Sequence, residues 1–127
     1  MEIKFEASII NLENRTIDFV EVVNLGDNSS DGEIEKALKE WAFTMLEDCE
    51  SPDLLDDYSQ QAESMGWSWV DYLCFTFGDN FSGRWETLGT DKVRGNSDIV
   101  FYEDLYDEYR FERKTDARRP KNQPWWM

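Results

Sequence analysis

Ile3-Lys4-Phe5-Glu6-Ala7-Ser8-Ile9 alternates apolar and polar residues one for one, which is the period of a strand with one face on a core. A polar turn around Asn11 to Arg15 follows. Thr16-Ile17-Asp18-Phe19-Val20-Glu21-Val22-Val23 then supplies a second run rich in β-branched and aromatic side chains. The two runs predict an antiparallel hairpin, and everything downstream is read against it.

Ser30 and Glu33 stand in the S-x-x-E spacing of a capping box, in which a serine side chain satisfies an orphan amide of the first helical turn. Ile34, Leu38, Trp41, Ala42, Met45 and Leu46 continue at helical spacing, so the pattern predicts a helix from about 31 to 47. Ser51-Pro52 restarts the chain with a serine cap, a proline at the first helical position and Asp53 in the first turn. Leu54, Leu55, Tyr58 and Ala62 give that second helix its apolar stripe, and Gly66 is placed to end it.

Trp67 to Phe77 reads two ways. Trp67, Trp69, Leu73, Phe75 and Phe77 alternate as in a strand, with Asp71 the exception on that face, while Ser68 could equally cap a short helix. The aromatic content favours the strand. Gly78-Asp79-Asn80 and Ser82-Gly83 punctuate a turn; Arg84 to Leu88 and Ile99 to Tyr102 read as two short strands linked through a loop holding Arg94-Gly95-Asn96. Glu103 to Arg113 reads as a helix. Strands, helices and strands again give an α+β domain, expected to hold a mostly antiparallel sheet of four to five short strands with two to three helices. Its span is 1–113, followed by a basic tail over 114–127 that ends in tryptophan.

Charge is the feature that bears on function. The 127 residues hold 28 Asp and Glu against 13 Lys and Arg, with no histidine, for a formal charge of −15. Self-repulsion of that size opposes the compact state, yet 15% of the residues are aromatic, enough large apolar surface to fold. Six of the bases lie in 110–127, so the body is more acidic than the total. Cys49 and Cys74 make no disulfide framework, and the start Met1-Glu2-Ile3-Lys4-Phe5 lacks a signal-peptide run. A reducing cytosol is therefore the expected compartment, with no membrane attachment.

The absence of histidine removes the commonest general base, Ser-His and Cys-His pairs and most zinc sites. No phosphate-cradling glycine loop is present, and no enzyme activity and no cofactor are expected. Asp27-Asn28-Ser29-Ser30-Asp31-Gly32-Glu33-Ile34-Glu35 follows a calcium loop through its ninth position, but Leu38 stands where the bidentate glutamate belongs. A strand-to-helix loop with a capping box accounts for the same residues.

Glu47, Asp48, Glu50, Asp53, Asp56 and Asp57 place six carboxylates in eleven residues, and Glu103, Asp104, Asp107 and Glu108 form a second cluster. Acids near helix starts complement the macrodipole, which explains Asp53 but not the scarcity of lysines. Carboxylates at i,i+4 lie ~5–6 Å apart, a spacing comparable to that of phosphates along a DNA strand. In length, acidity, aromatic content and these two clusters the chain resembles the small anti-defence proteins of phages and mobile elements, the anti-CRISPR and anti-restriction inhibitors, many of them acidic DNA mimics. The resemblance lies in the whole-chain profile; no family motif aligns and no family residue is carried over. It implies stoichiometric inhibition of a basic nucleic-acid-binding protein, a nuclease or effector complex, with no direct contact to nucleic acid. An immunity protein or antitoxin against a basic toxin nuclease would share the profile, and a calcium-binding or structural interaction module is a further alternative. Trp125 and Trp126, in the closing Pro124-Trp125-Trp126-Met127, are either tucked into a groove or an anchor for a partner. A homodimer through the basic tail is also open.

Overall fold

A computed structural model of the chain describes residues 1–11, 13–50, 52–89 and 91–112. The hairpin forms as read. β1 (Glu2–Ile10) pairs antiparallel with β2 (Thr16–Asn24). Ile3, Phe5, Ala7 and Ile9 of β1 are buried, while Lys4, Glu6 and Ser8 project to the other side. Three helices follow: α1 (Asp31–Cys49), α2 (Pro52–Ser64) and α3 (Trp69–Phe77). A 3-10 turn at Gly78–Asn80 leads into β3 (Phe81–Leu88), then β4 (Gly95–Val100) and α4 (Tyr102–Glu112). The sheet has the order β2-β1-β3-β4, antiparallel throughout. The helices cover one face, giving an α+β two-layer domain whose second sheet face is covered by none of the described elements.

The local signals explain most element ends. Ser30 Oγ accepts from the Glu33 amide at 3.2 Å and its hydroxyl donates to the Glu33 carboxylate at 3.3 Å. At the end of α2, Gly66 takes φ +77°, the Trp67 amide donates to the Ala62 carbonyl at 2.9 Å and the Gly66 amide to the Glu63 carbonyl at 3.0 Å. That is a Schellman ending, which favours a residue without Cβ. Gly83 answers a different demand: a Cβ there would lie 2.8 Å from both the Glu6 carbonyl oxygen and the Phe101 ring. The side chain is absent so that β1, β3 and Phe101 can close on one another.

One expectation is corrected. Residues 69–77 are a helix, not a strand, which raises the number of helices to four beside the four strands. Ser68 caps it, accepting from the Asp71 amide at 3.2 Å. Trp69, Val70, Leu73, Cys74 and Phe77 are buried at helical spacing, and Phe75, which the strand reading placed in the core, is 72% exposed. The boundaries also shift in β4, which takes in Gly95 and Asn96, whereas Tyr102 opens α4. Among the described residues no helix is long and apolar enough to cross a membrane.

Candidate functional site

The first acidic cluster is divided by the fold. Asp48, Asp53 and Asp57 are exposed, Glu47 and Asp56 are half-buried, and Glu50 is only 2% exposed. Glu50 follows the last residue of α1; its amide donates to the Leu46 carbonyl at 2.7 Å. Its carboxylate accepts from the Tyr58 hydroxyl of α2 at 3.0 Å. Burial first, then the Glu50 charge, push the Tyr58 hydroxyl far above the ordinary phenol range, so it remains a donor and holds α1 against α2. Glu50 therefore leaves the surface set and takes a structural role. On α2 the outward pair is Asp53 and Asp57, four residues and one turn apart.

The second cluster is divided in the same way. Glu103 and Asp107 of α4 are exposed, again at i,i+4. Asp104 pairs with Lys39 of α1 at 3.3 Å, and Lys39 also reaches Glu35 at 3.5 Å. Asp104, Asp107 and Glu108 share a shallow depression with Lys36, Lys39 and Glu40, so two lysines soften the charge on that side. Glu40, which the sequence reading missed, ties the clusters together. It lines the depression, and Glu47 lies seven residues further along the same helix, on the same face and about 10 Å up the axis. Along α1, exposed Glu40, half-buried Glu47 and exposed Asp48 thus carry carboxylates from the depression beside α4 to the end of the helix.

The signal that would have found this surface is a gap in the bases. From Glu40 to Gly83 the chain has ten carboxylates and no lysine or arginine. The bases of the body lie elsewhere, and two of them work on the open face of the sheet. Lys4 sits between Glu6 at 3.2 Å and Glu86 at 3.1 Å, and Arg84 pairs with Glu6. Arg84 holds the Glu6 carboxyl below the usual carboxylate range, and Glu86 and Glu6 hold the Lys4 ammonium above its own. Arg94 pairs with Asp31, donates to the Ser29 carbonyl at 3.1 Å and lies 6.0 Å over the Trp85 ring.

The calcium-like loop spends its carboxylates internally. Asp27 binds the Met1 ammonium at 2.9 Å, which holds its carboxyl low, while Asp31 meets Arg94 and Glu35 meets Lys39. Among the described residues, no group of three or more His, Cys, Asp or Glu is arranged to hold a metal. Cys49 and Cys74 are free thiols; Cys49 is half-buried and Cys74 buried. Burial pushes the Cys74 thiol up to about 12. Trp125, Trp126 and the tail over 114–127 lie outside the described residues.

Fold and surface together define a small two-layer α+β protein with a carboxylate-rich helical side and an internally paired open sheet face. No protein-family model, curated protein or solved structure matches the chain.

Proposed function

We propose that this protein is a stoichiometric inhibitor that occupies the basic nucleic-acid-binding surface of a nuclease or a CRISPR or restriction effector. Its helical carboxylates stand in for phosphates. The observation that carries the reading is the base-free stretch from Glu40 to Gly83 with its ten acids. A surface kept only for solubility would mix both signs. Asp53 with Asp57, and Glu103 with Asp107, are exposed pairs at the spacing that can follow a phosphate backbone. Steering by this field makes association fast and strongly weakened by salt.

The test begins with the tagged protein in bacterial lysate, elution by a salt gradient and mass-spectrometric identification of what leaves the resin. The captured nuclease or effector is then titrated. Its activity should fall linearly to zero at a fixed molar ratio, and duplex DNA should compete. The variant D48K/D53K/D57K should lose inhibition while keeping its circular dichroism spectrum and melting temperature. Full potency in that variant would remove α1 and α2 from the interface and overturn the reading.

A further inference from the structure

We infer that two copies of this chain pair edge to edge through β2, giving a continuous eight-stranded sheet. The inference does not rest on the inhibitor reading. The two edges of the sheet are built differently. β4 is short, contains Asp98 at φ +61°, and its pairing with β3 is interrupted between Gly83 and Trp85. Such irregularities blunt an edge against further pairing. β2 runs nine residues in unbroken register against β1, with no proline, lysine or bulge.

Among the described residues no strand pairs with the outer edge of β2, and the direction of its outward backbone groups follows from the ladder. The Met1 ammonium donates to the Leu25 carbonyl and the Leu25 amide to the Met1 carbonyl, each at 3.0 Å, and in an antiparallel pair the bonded positions alternate. Ile17, Phe19, Glu21 and Val23 therefore face β1 with their backbone groups. Thr16, Asp18, Val20, Val22 and Asn24 turn theirs outward, away from the sheet. Of these, Val20 and Val22 are 62% and 51% exposed and project onto the open face.

The occupant follows from the sequence of that edge. An antiparallel two-fold about Val20 sets Val20 against the partner's Val20, Asp18 against the partner's Val22 and Thr16 against the partner's Asn24. Outward amides and carbonyls then meet at each of these positions, giving on the order of ten backbone hydrogen bonds. On the other face Ile17 lies beside the partner's Val23 and Glu21 beside the partner's Phe19. No like charges stand directly opposite; the nearest are Glu21 and the partner's Glu21, which lie diagonally about 7–8 Å apart. Centring the two-fold on Asp18 or Glu21 would set that acid against its own copy, and centring it on Phe19 shortens the ladder. Because paired residues project to the same side, both helical layers lie on one face of the joint sheet. The edge is thus self-complementary in hydrogen bonding and sets no acid directly against its own copy, as an isologous contact requires.

The mass of the full chain decides the matter, measured by sedimentation equilibrium from about 5 to 200 µM at two salt concentrations. The mass expected is twice that of the chain, and the dissociation constant should fall as salt rises, because each copy carries a formal −15. V20P removes an outward amide without touching the β1 ladder and should yield a monomer with an unchanged circular dichroism spectrum. V20K relieves net charge yet sets lysine against lysine, and should raise the dissociation constant at least tenfold. A wild-type monomer at about 200 µM in 0.5 M NaCl overturns the inference. So does a dimer unaffected by V20K, or one abolished by W125A/W126A while V20K leaves it intact.

Discussion

The open face of the sheet and the exposed side of the helices use the same residue type in opposite ways. On the sheet, Glu6 and Glu86 are held by Lys4 and Arg84 across adjacent strands. On the helical side, Asp48, Asp53 and Asp57 lie in a stretch that contains no base. Cross-strand neighbours of opposite sign support a sheet locally, so the first set of charges is consumed by the fold. Among the described residues Asp48, Asp53 and Asp57 meet no base, and the fold bears their mutual repulsion. The difference separates acids that hold the structure from acids that can act on something outside it.

The sharpest way to break the comparison is to reverse charge on each side in turn. D48K/D53K/D57K should weaken target binding by about 100-fold with the melting temperature maintained, read by titration against the captured target. K4E should lower the melting temperature and leave target binding within about twofold, since it attacks pairs the fold uses. Equal effects of the two variants on binding would erase the distinction.

A smaller effect separates Glu50 from the neighbours it resembles in sequence. E50A strands the Tyr58 hydroxyl in the core and should cost ~1–3 kcal/mol of stability by denaturant unfolding. E50Q keeps an acceptor there and should restore most of it, with target affinity unchanged in both. Loss of affinity in E50Q would return Glu50 to the interface.

The pH dependence sharpens the contrast further. Glu6 has its folded value lowered by Arg84, so its contribution is complete above the unfolded carboxylate range near 4.5 and is lost as pH falls through the lower folded value. Cys74 is shifted the other way, from 9.0 to about 12. Its contribution is complete below pH 9 and is lost as pH rises from 9 towards 12. A C74V variant should flatten the alkaline slope of stability against pH, and R84Q should flatten the acidic one. The smallest effect expected is from salt: raising NaCl from about 0.02 to 0.3 M should increase the melting temperature by a few degrees, because screening relieves the helical acids. A fall would mean that the pairs on the sheet outweigh that repulsion.

Much of this architecture could be read before any coordinates. The alternation from Ile3 to Ile9, the Ser30 box and Gly66 act within a turn or a strand, and each formed where the pattern placed it. Trp67 to Phe77 was not legible in the same way, because Ser68 offered a cap while the aromatic alternation offered a strand. The helix won because its buried set, Trp69, Val70, Leu73, Cys74 and Phe77, includes Val70 and Cys74, which the alternating pattern assigned to the outside. Of the candidate site, the exposed Asp53–Asp57 and Glu103–Asp107 pairs could be anticipated from helical spacing. The burial of Glu50 and the linking role of Glu40 could not.

By itself the sequence determined the hairpin, the starts of α1 and α2, the end of α2 and the excess of carboxylates, since each depends on neighbours a few residues away. Only the tertiary structure decided which acids are neutralised. Asp104 meets Lys39, Glu6 meets Arg84 and Asp31 meets Arg94, residues far apart in the chain and brought together by the stacking of helices on a sheet. Charge pairing falls off over a few ångströms in space, and distance along the chain carries no record of it.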